Sequence, residues 1–224
     1  MRPGGPGADP GGPDGRPVEL GCDLFDGWGR MELGARLARQ EGCLDELLRS
    51  LGVEWTEPDD PRVAAFAQRE PYFPQYHRIG HKRQSAVREL TGRRALVERH
   101  YELVLRALVS DDDRSSPRSL AAVLVESVGR RRVQESLVRA VEDGDPYQQV
   151  CAAGAWPWVL APLDYAGEED FRAGRPTPRS LAARAALSDL ASRFEAGLRA
   201  AQAACRDDWT RDRLSAALDG WPPA

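Results

Sequence analysis

Lysine is nearly missing from this chain: of 31 basic residues only Lys82 is not an arginine. Arginine codons are rich in G and C, so the bias points to a GC-rich bacterial coding sequence rather than to a chemistry. Cysteine is sparse and scattered. Cys22, Cys43, Cys151 and Cys205 form no C-x-x-C pair. That excludes a zinc ribbon or a thioredoxin-type motif and suits a reducing, cytoplasmic compartment. No run of about 18 apolar residues occurs, so no segment reads as a membrane span. The opening MRPGGPGADPGGPDGRP lacks the apolar stretch of a secretory signal. Alternating β-branched runs are absent, which argues against sheet. There is no G-x-S-x-G, no P-loop and no G-x-G-x-x-G after a strand. No catalytic residue, cofactor or metal is therefore assigned. A net charge of −4 and a pI near 5.5 give no global signal for nucleic acid or membrane.

What remains is a chain of 224 residues, long enough to bury a core without staples. Residues 1–17 hold eleven Gly or Pro and almost nothing apolar. They read as a disordered tail before one domain over 18–224. Ala, Leu, Arg and Glu dominate the rest, and their periodicity predicts helices over 31–51, 61–69, 84–109, 117–128, 130–142, 146–159, 178–205 and 209–218. Gly42 is a candidate break in the first. Asp-Pro and Ser-Pro pairs mark several of the intervening turns, a helix-start signature.

Four acidic or polar turns lead into similar helix starts: DDPRVAAFA from Asp59, DDDRSSPRSLAAVLV from Asp111, DGDPYQQVCAAGAW from Asp143 and RDDWTRDRLSAALDGW from Arg206. Each carries an Ala pair: Ala64–Ala65, Ala121–Ala122, Ala152–Ala153 and Ala216–Ala217. The helix before the turn repeats as well, LRALVSDD (Leu105–Asp112) aligning without gaps on VRAVEDGD (Val138–Asp145). The Asp side chains can cap the second helix, and the Ala pair lets the first approach closely. One such pair cannot hide its apolar stripe, but stacked neighbours can.

This pattern resembles HEAT-repeat proteins of the short bacterial type, whose turn carries Asp before a helix reading roughly Pro-x-Val-Arg-x-x-Ala-Ala. DPYQQVCAAGAW at 145–156 is the best match, though Gln149 and Val150 depart from the Val-Arg order. The resemblance covers roughly 31–220. It implies an all-α right-handed superhelix, a HEAT-like solenoid of about four helix pairs. For function it implies a non-enzymatic scaffold or adaptor with a protein partner, a fold-level analogy.

Four groups of residues could carry function. His77 and His81 have the i, i+4 spacing of two metal ligands on a helix face. His100 falls in the same short region, and Glu98 or Glu102 could add a carboxylate, but Pro74 and Gly80 argue against a helix at the pair. The stretch from His77 to Arg106 carries eight basic side chains against three glutamates. If Arg83 and Arg94 shared a face, with Arg131 nearby, they could hold phosphates as in HEAT-like DNA glycosylases. Trp156 and Trp158, with Tyr165 and Phe171 in the insertion APLDYAGEEDFRAG, could form an acidic, aromatic lip for a basic protein. The bland reading makes these tryptophans core. Cys151 is expected to be a small buried hydrophobe. Nucleic-acid binding and an immunity or accessory role beside a neighbouring gene product are the alternatives to an adaptor.

Overall fold

The structure is a computed structural model that describes residues 30–220 apart from Arg114. The proposed tail 1–17, Cys22, Trp28 and Trp221 lie outside the described residues. Twelve α-helices and no strand make up what is described. They are α1 (Arg30–Ser50), α2 (Pro61–Ala67), α3 (Phe73–Leu90), α4 (Arg94–Arg99), α5 (Tyr101–Leu108) and α6 (Pro117–Val128). After these come α7 (Arg130–Asp143), α8 (Pro146–Val159), α9 (Glu168–Arg172), α10 (Pro178–Ala185), α11 (Ser188–Ala204) and α12 (Asp208–Asp219). The all-α expectation holds.

The acidic turns start helices as their chemistry requires. Asp60 accepts a hydrogen bond from the Arg62 backbone N–H, Asp145 from Gln148 and Asp207 from Thr210. Asp145 and Gln148 close a full capping box around Pro146. The turn before α6 differs. Its cap position is Ser116, which makes no side-chain cap bond, while Asp113 Oδ1 accepts from the backbone of Ser115 and Ser116 at 2.8 and 3.1 Å.

Helix α8 is the centre of the body. It packs against α7 and α11 on one side and between α6 and α12 on the other. Ala152 and Ala153 are buried there, and the Trp156 ring stacks on Phe194 of α11 at 3.9 Å. Leu137 of α7, Leu198 of α11 and Leu214 of α12 complete that part of the core. The hairpins α5–α6, α7–α8 and α11–α12 are each packed pairs. Helix α1 packs on α3 and α5, with Leu44, Leu47 and Leu48 inside. The Ala pairs do not all serve as contacts. Ala121 is buried and Ala122 exposed, and both Ala64 and Ala65 on α2 are exposed.

Four features depart from the sequence reading. Helix α1 runs through Gly42 unbroken, and α3 starts at Phe73, with Pro74 in its first turn and Gly80 inside it. The segment 84–109 is three pieces, not one helix: α3 ends before Gly92, where φ is +72°, and His100, at φ −104° and ψ 20°, separates α4 from α5. The segment 178–205 is interrupted around Leu187, which separates α10 from α11.

Candidate functional site

The acidic turn between α5 and α6 is a buried polar hub. Asp111 is 1% exposed and its Oδ2 lies 2.9 Å from Arg83 Nε. The two are close without a well-aligned hydrogen bond. Ser116 donates to the other carboxylate oxygen at 2.6 Å. Asp112 receives Arg36 at 3.1 Å, and Tyr76 donates to Asp113 at 2.5 Å. Tyr147 donates to the carbonyl of Ser110 at 3.0 Å, and the Ser110 hydroxyl meets Cys43 Sγ at 3.3 Å. Helices α1, α3, α6 and α8 are thus tied to one turn.

Burial sets the protonation of this hub. It pushes the Asp112 carboxyl up to about 6, with Arg36 pulling the other way. It raises Asp111 too, against the attraction of Arg83. Burial also pushes the Cys151 thiol well up, as suits an inert side chain of α8. Two shallow clefts flank the hub. One of about 370 Å³ lies between Ala35, Arg36, Tyr147 and Trp209, and one of about 330 Å³ between Gly80, Arg83, Ser116 and Arg118. A raised carboxyl can serve as an acid or base. Neither Asp111 nor Asp112 lines either of these two clefts.

The arginines singled out from sequence are not brought together as a phosphate face. Arg83 is only 12% exposed and paired with Asp111. Arg94 sits beyond Gly92 on α4 and pairs with Glu98 at 2.8 Å. Arg131 clamps α7 to the start of α11 through Asp189 at 3.0 Å and the Ala186 carbonyl at 3.1 Å. The condition for Arg83 and Arg94 to share a helical face is not met, because α3 ends at Leu90 and Gly92 follows with a positive φ.

The aromatic lip is divided in two. Trp156 is 2% exposed and belongs to the core, a correction to its place on a lip. Trp158 is partly buried against the core with the Arg118 guanidinium 5.7 Å from its ring centroid. Tyr165 and Phe171 do meet, edge to face at 5.2 Å. Phe171 is 64% exposed and Leu181 on α10 is 49% exposed. Three of the four acids of this segment are paired locally, Glu168 with Arg172 and both Glu169 and Asp170 with the single Arg175.

Sequence reasoning missed Leu181, whose apolar side chain read as one more turn of a long helix. It also treated Asp111, Asp112 and Asp113 only as a turn. Their run of three acids before Ser-Ser-Pro was the available signal, but its arginine partners lie far away in sequence. Among the described residues no helix is long and apolar enough to cross a membrane. No family model, no curated protein and no solved structure matches this chain.

Proposed function

We propose that this protein is a non-enzymatic adaptor on a HEAT-like helical scaffold, and that it grips a protein partner through the segment 160–187. The observation that carries the reading is the exposure of Phe171 and Leu181 on α9 and α10. These helices bury one side chain between them, Ser180. With Phe66 on α2, Phe171 and Leu181 are the large apolar side chains left exposed among the described residues, and these two fall in one connecting segment. The local pairing of the acidic residues favours an apolar contact over the basic partner first expected.

The HEAT-like part of the reading is supported by the hairpins α7–α8 and α11–α12, which stack side by side with α8 beside α12 and α7 beside α11. It is also supported by Asp at three helix caps in the repeated turns. The neutralised arginines weigh against a phosphate-binding face.

The test is capture from the native host with wild type and with the double variant Phe171→Asp, Leu181→Asp. Both sites are exposed, so the variant should keep the wild-type circular dichroism spectrum and melting temperature. A stoichiometric partner held by wild type and lost from the variant supports the adaptor. Equal capture by both would remove this surface from the proposal. Duplex DNA retained at sub-micromolar protein and physiological salt would overturn the adaptor in favour of nucleic acid.

A further inference from the structure

On α3 two imidazoles face each other. His77 and His81 stand one helical turn apart, and their Nε2 atoms are separated by 3.2 Å. Their ring centroids are 4.4 Å apart at an interplanar angle of 60°. The objection raised by Pro74 and Gly80 does not apply, because α3 is continuous from Phe73 to Leu90 with the proline in its first turn. Two neutral imidazoles this close can share one proton between the facing nitrogens, or direct both lone pairs at one cation.

We propose that His77 and His81 form a bidentate site for a divalent transition metal, taking Cu²⁺ or Ni²⁺ in preference to Zn²⁺ and rejecting Mg²⁺. Metal–nitrogen bonds of about 2.0–2.1 Å closing on the 3.2 Å bite subtend about 100° at the metal. That angle lies between the cis angle of a square or octahedral centre and the tetrahedral one. The imidazole χ2 torsion is soft, so a small turn of each ring brings both lone pairs to one point. Imidazole suits Cu, Ni and Zn, and the order of divalent affinities places Cu²⁺ first, while Mg²⁺ wants oxygen.

The surroundings leave room for the ion. Among the described residues no third His, Cys, Asp or Glu is grouped with the pair, so water fills the remaining positions. Phe73 lies 6.0 Å from the His77 ring and Phe66 packs on Phe73 at 4.9 Å, an apolar wall on one side. The neighbouring cations are occupied elsewhere. Arg78 pairs with Glu41 at 3.0 Å, and Lys82 with Glu41 and Asp45 at 2.9 and 2.6 Å. On binding, the proton shared by the two Nε2 atoms moves through solvent to the Nδ1 of its own ring. Both rings then coordinate through Nε2 in the same tautomer.

The experiment is titration calorimetry of the untagged full-length chain, its accessible thiols alkylated, with CuSO₄, NiCl₂, ZnCl₂ and MgCl₂. Wild type should bind one Cu²⁺ or Ni²⁺, Zn²⁺ more weakly and Mg²⁺ not at all. His77→Gln and His81→Gln should each weaken Ni²⁺ binding by at least about tenfold, because the second donor of a chelate acts at high effective concentration. His100→Gln should match wild type, since His100 lies at the other end of this region and bonds Ser50 Oγ at 3.0 Å. Ni²⁺ should also shield His77 and His81, but not His100, from diethyl pyrocarbonate in the wild-type chain, a readout that needs no variant to fold. Wild-type Ni²⁺ affinity in a chain carrying both His77→Gln and His81→Gln, or equal modification of all three histidines with and without Ni²⁺, would overturn the site.

Discussion

The guanidinium of Arg36 on α1 lies 4.2 Å from the ring centroid of Trp209 on α12. The same side chain reaches Asp112 at 3.1 Å, so one arginine joins the first described helix, the buried acidic turn and the last helix. Arg213 covers the Trp209 ring too, at 5.7 Å. Beside it, Arg39 of α1 pairs with Asp145, the cap of α8, at 2.8 Å. In a strictly one-dimensional stack the terminal repeats touch only their neighbours. Here Arg36 and Arg39 of α1 reach the starts of α12 and α8 and so tie together the first and last described helices. Contact order rises accordingly, and stability depends on a few long-range polar contacts as well as on stacking.

Trp209 should therefore matter more than its partly buried position suggests. Trp209→Ala removes packing and the cation–π contact together and should cost about 2–3 kcal/mol. Trp209→Phe keeps an aromatic face under Arg36 and should lose less than half of that. Urea unfolding of the two variants checks the difference. Equal losses would mean that the ring face contributes nothing beyond volume.

Acid stability should be governed by two carboxyls that shift in opposite directions. Burial alone would raise Glu41, but hydrogen bonds from Arg78, Lys82 and Gln75 outweigh it and hold the carboxyl at about 2. Its folded value is depressed, so its stabilisation is present above about pH 4.5 and is lost as pH falls towards 2. Asp112 is raised from 3.8 to about 6, so the folded state takes its proton first. That contribution opposes folding at pH 7 and fades as pH falls from 6 to 4. The stability curve should therefore rise or stay level from pH 7 to 5 and fall steeply below 4.5. Glu41→Gln should flatten the lower limb and cost roughly 1–3 kcal/mol at neutral pH. Chemical denaturation across that range, in wild type and variant, is the measurement.

Much of the helical layout could be read from local chemistry. Helices α6, α8 and α12 fall within a residue or two of expectation, because Ser-Pro, Asp-Pro and Asp-Asp turns state where a helix starts, and α7 does so behind Gly129, which has a positive φ. The first half of α3 could not be read that way. Pro74 and Gly80 look like breakers one at a time. Proline fits the first turn, and the glycine's cost is met by burying Ile79, Ala86 and Leu90. The break at Gly92 could not be read from periodicity, since a glycine does not announce its φ. The ionic hub was illegible for a different reason. Arg36, Arg83 and their acids sit in stretches whose charge pattern matches a solvated helix face, and only the fold brings them together.

Gly80 offers a check on that account. A Cβ built there meets nothing within 4 Å, and the residue is helical. Gly80→Ala should stabilise the protein by about 0.5–1 kcal/mol, the ordinary helix-propensity difference. The expected sign is a rise of a few degrees in Tm at most. A loss of stability would mean that α3 needs the freedom of glycine between its two histidines.

Arg83 and Arg94, which look equivalent in sequence, should behave oppositely. Arg94 and Glu98 are 74% and 43% exposed, so Arg94→Met should change stability by less than about 0.5 kcal/mol. Arg83 and Asp111 are 12% and 1% exposed, so Arg83→Met strands a buried carboxylate and should cost about 3–5 kcal/mol at pH 8. Asp111 is already raised by burial, and losing Arg83 raises it further. The folded variant will then take up a proton that the unfolded chain does not hold, so its stability should recover as pH falls from 8 to 5. Adding Asp111→Asn to Arg83→Met removes the stranded charge and should restore most of the loss at pH 8. Denaturation midpoints for the four members of this cycle measure the coupling. If Arg83→Met is as mild as Arg94→Met at pH 8, the hub does not hold the fold, and Arg83 returns to the pool of arginines available to a ligand.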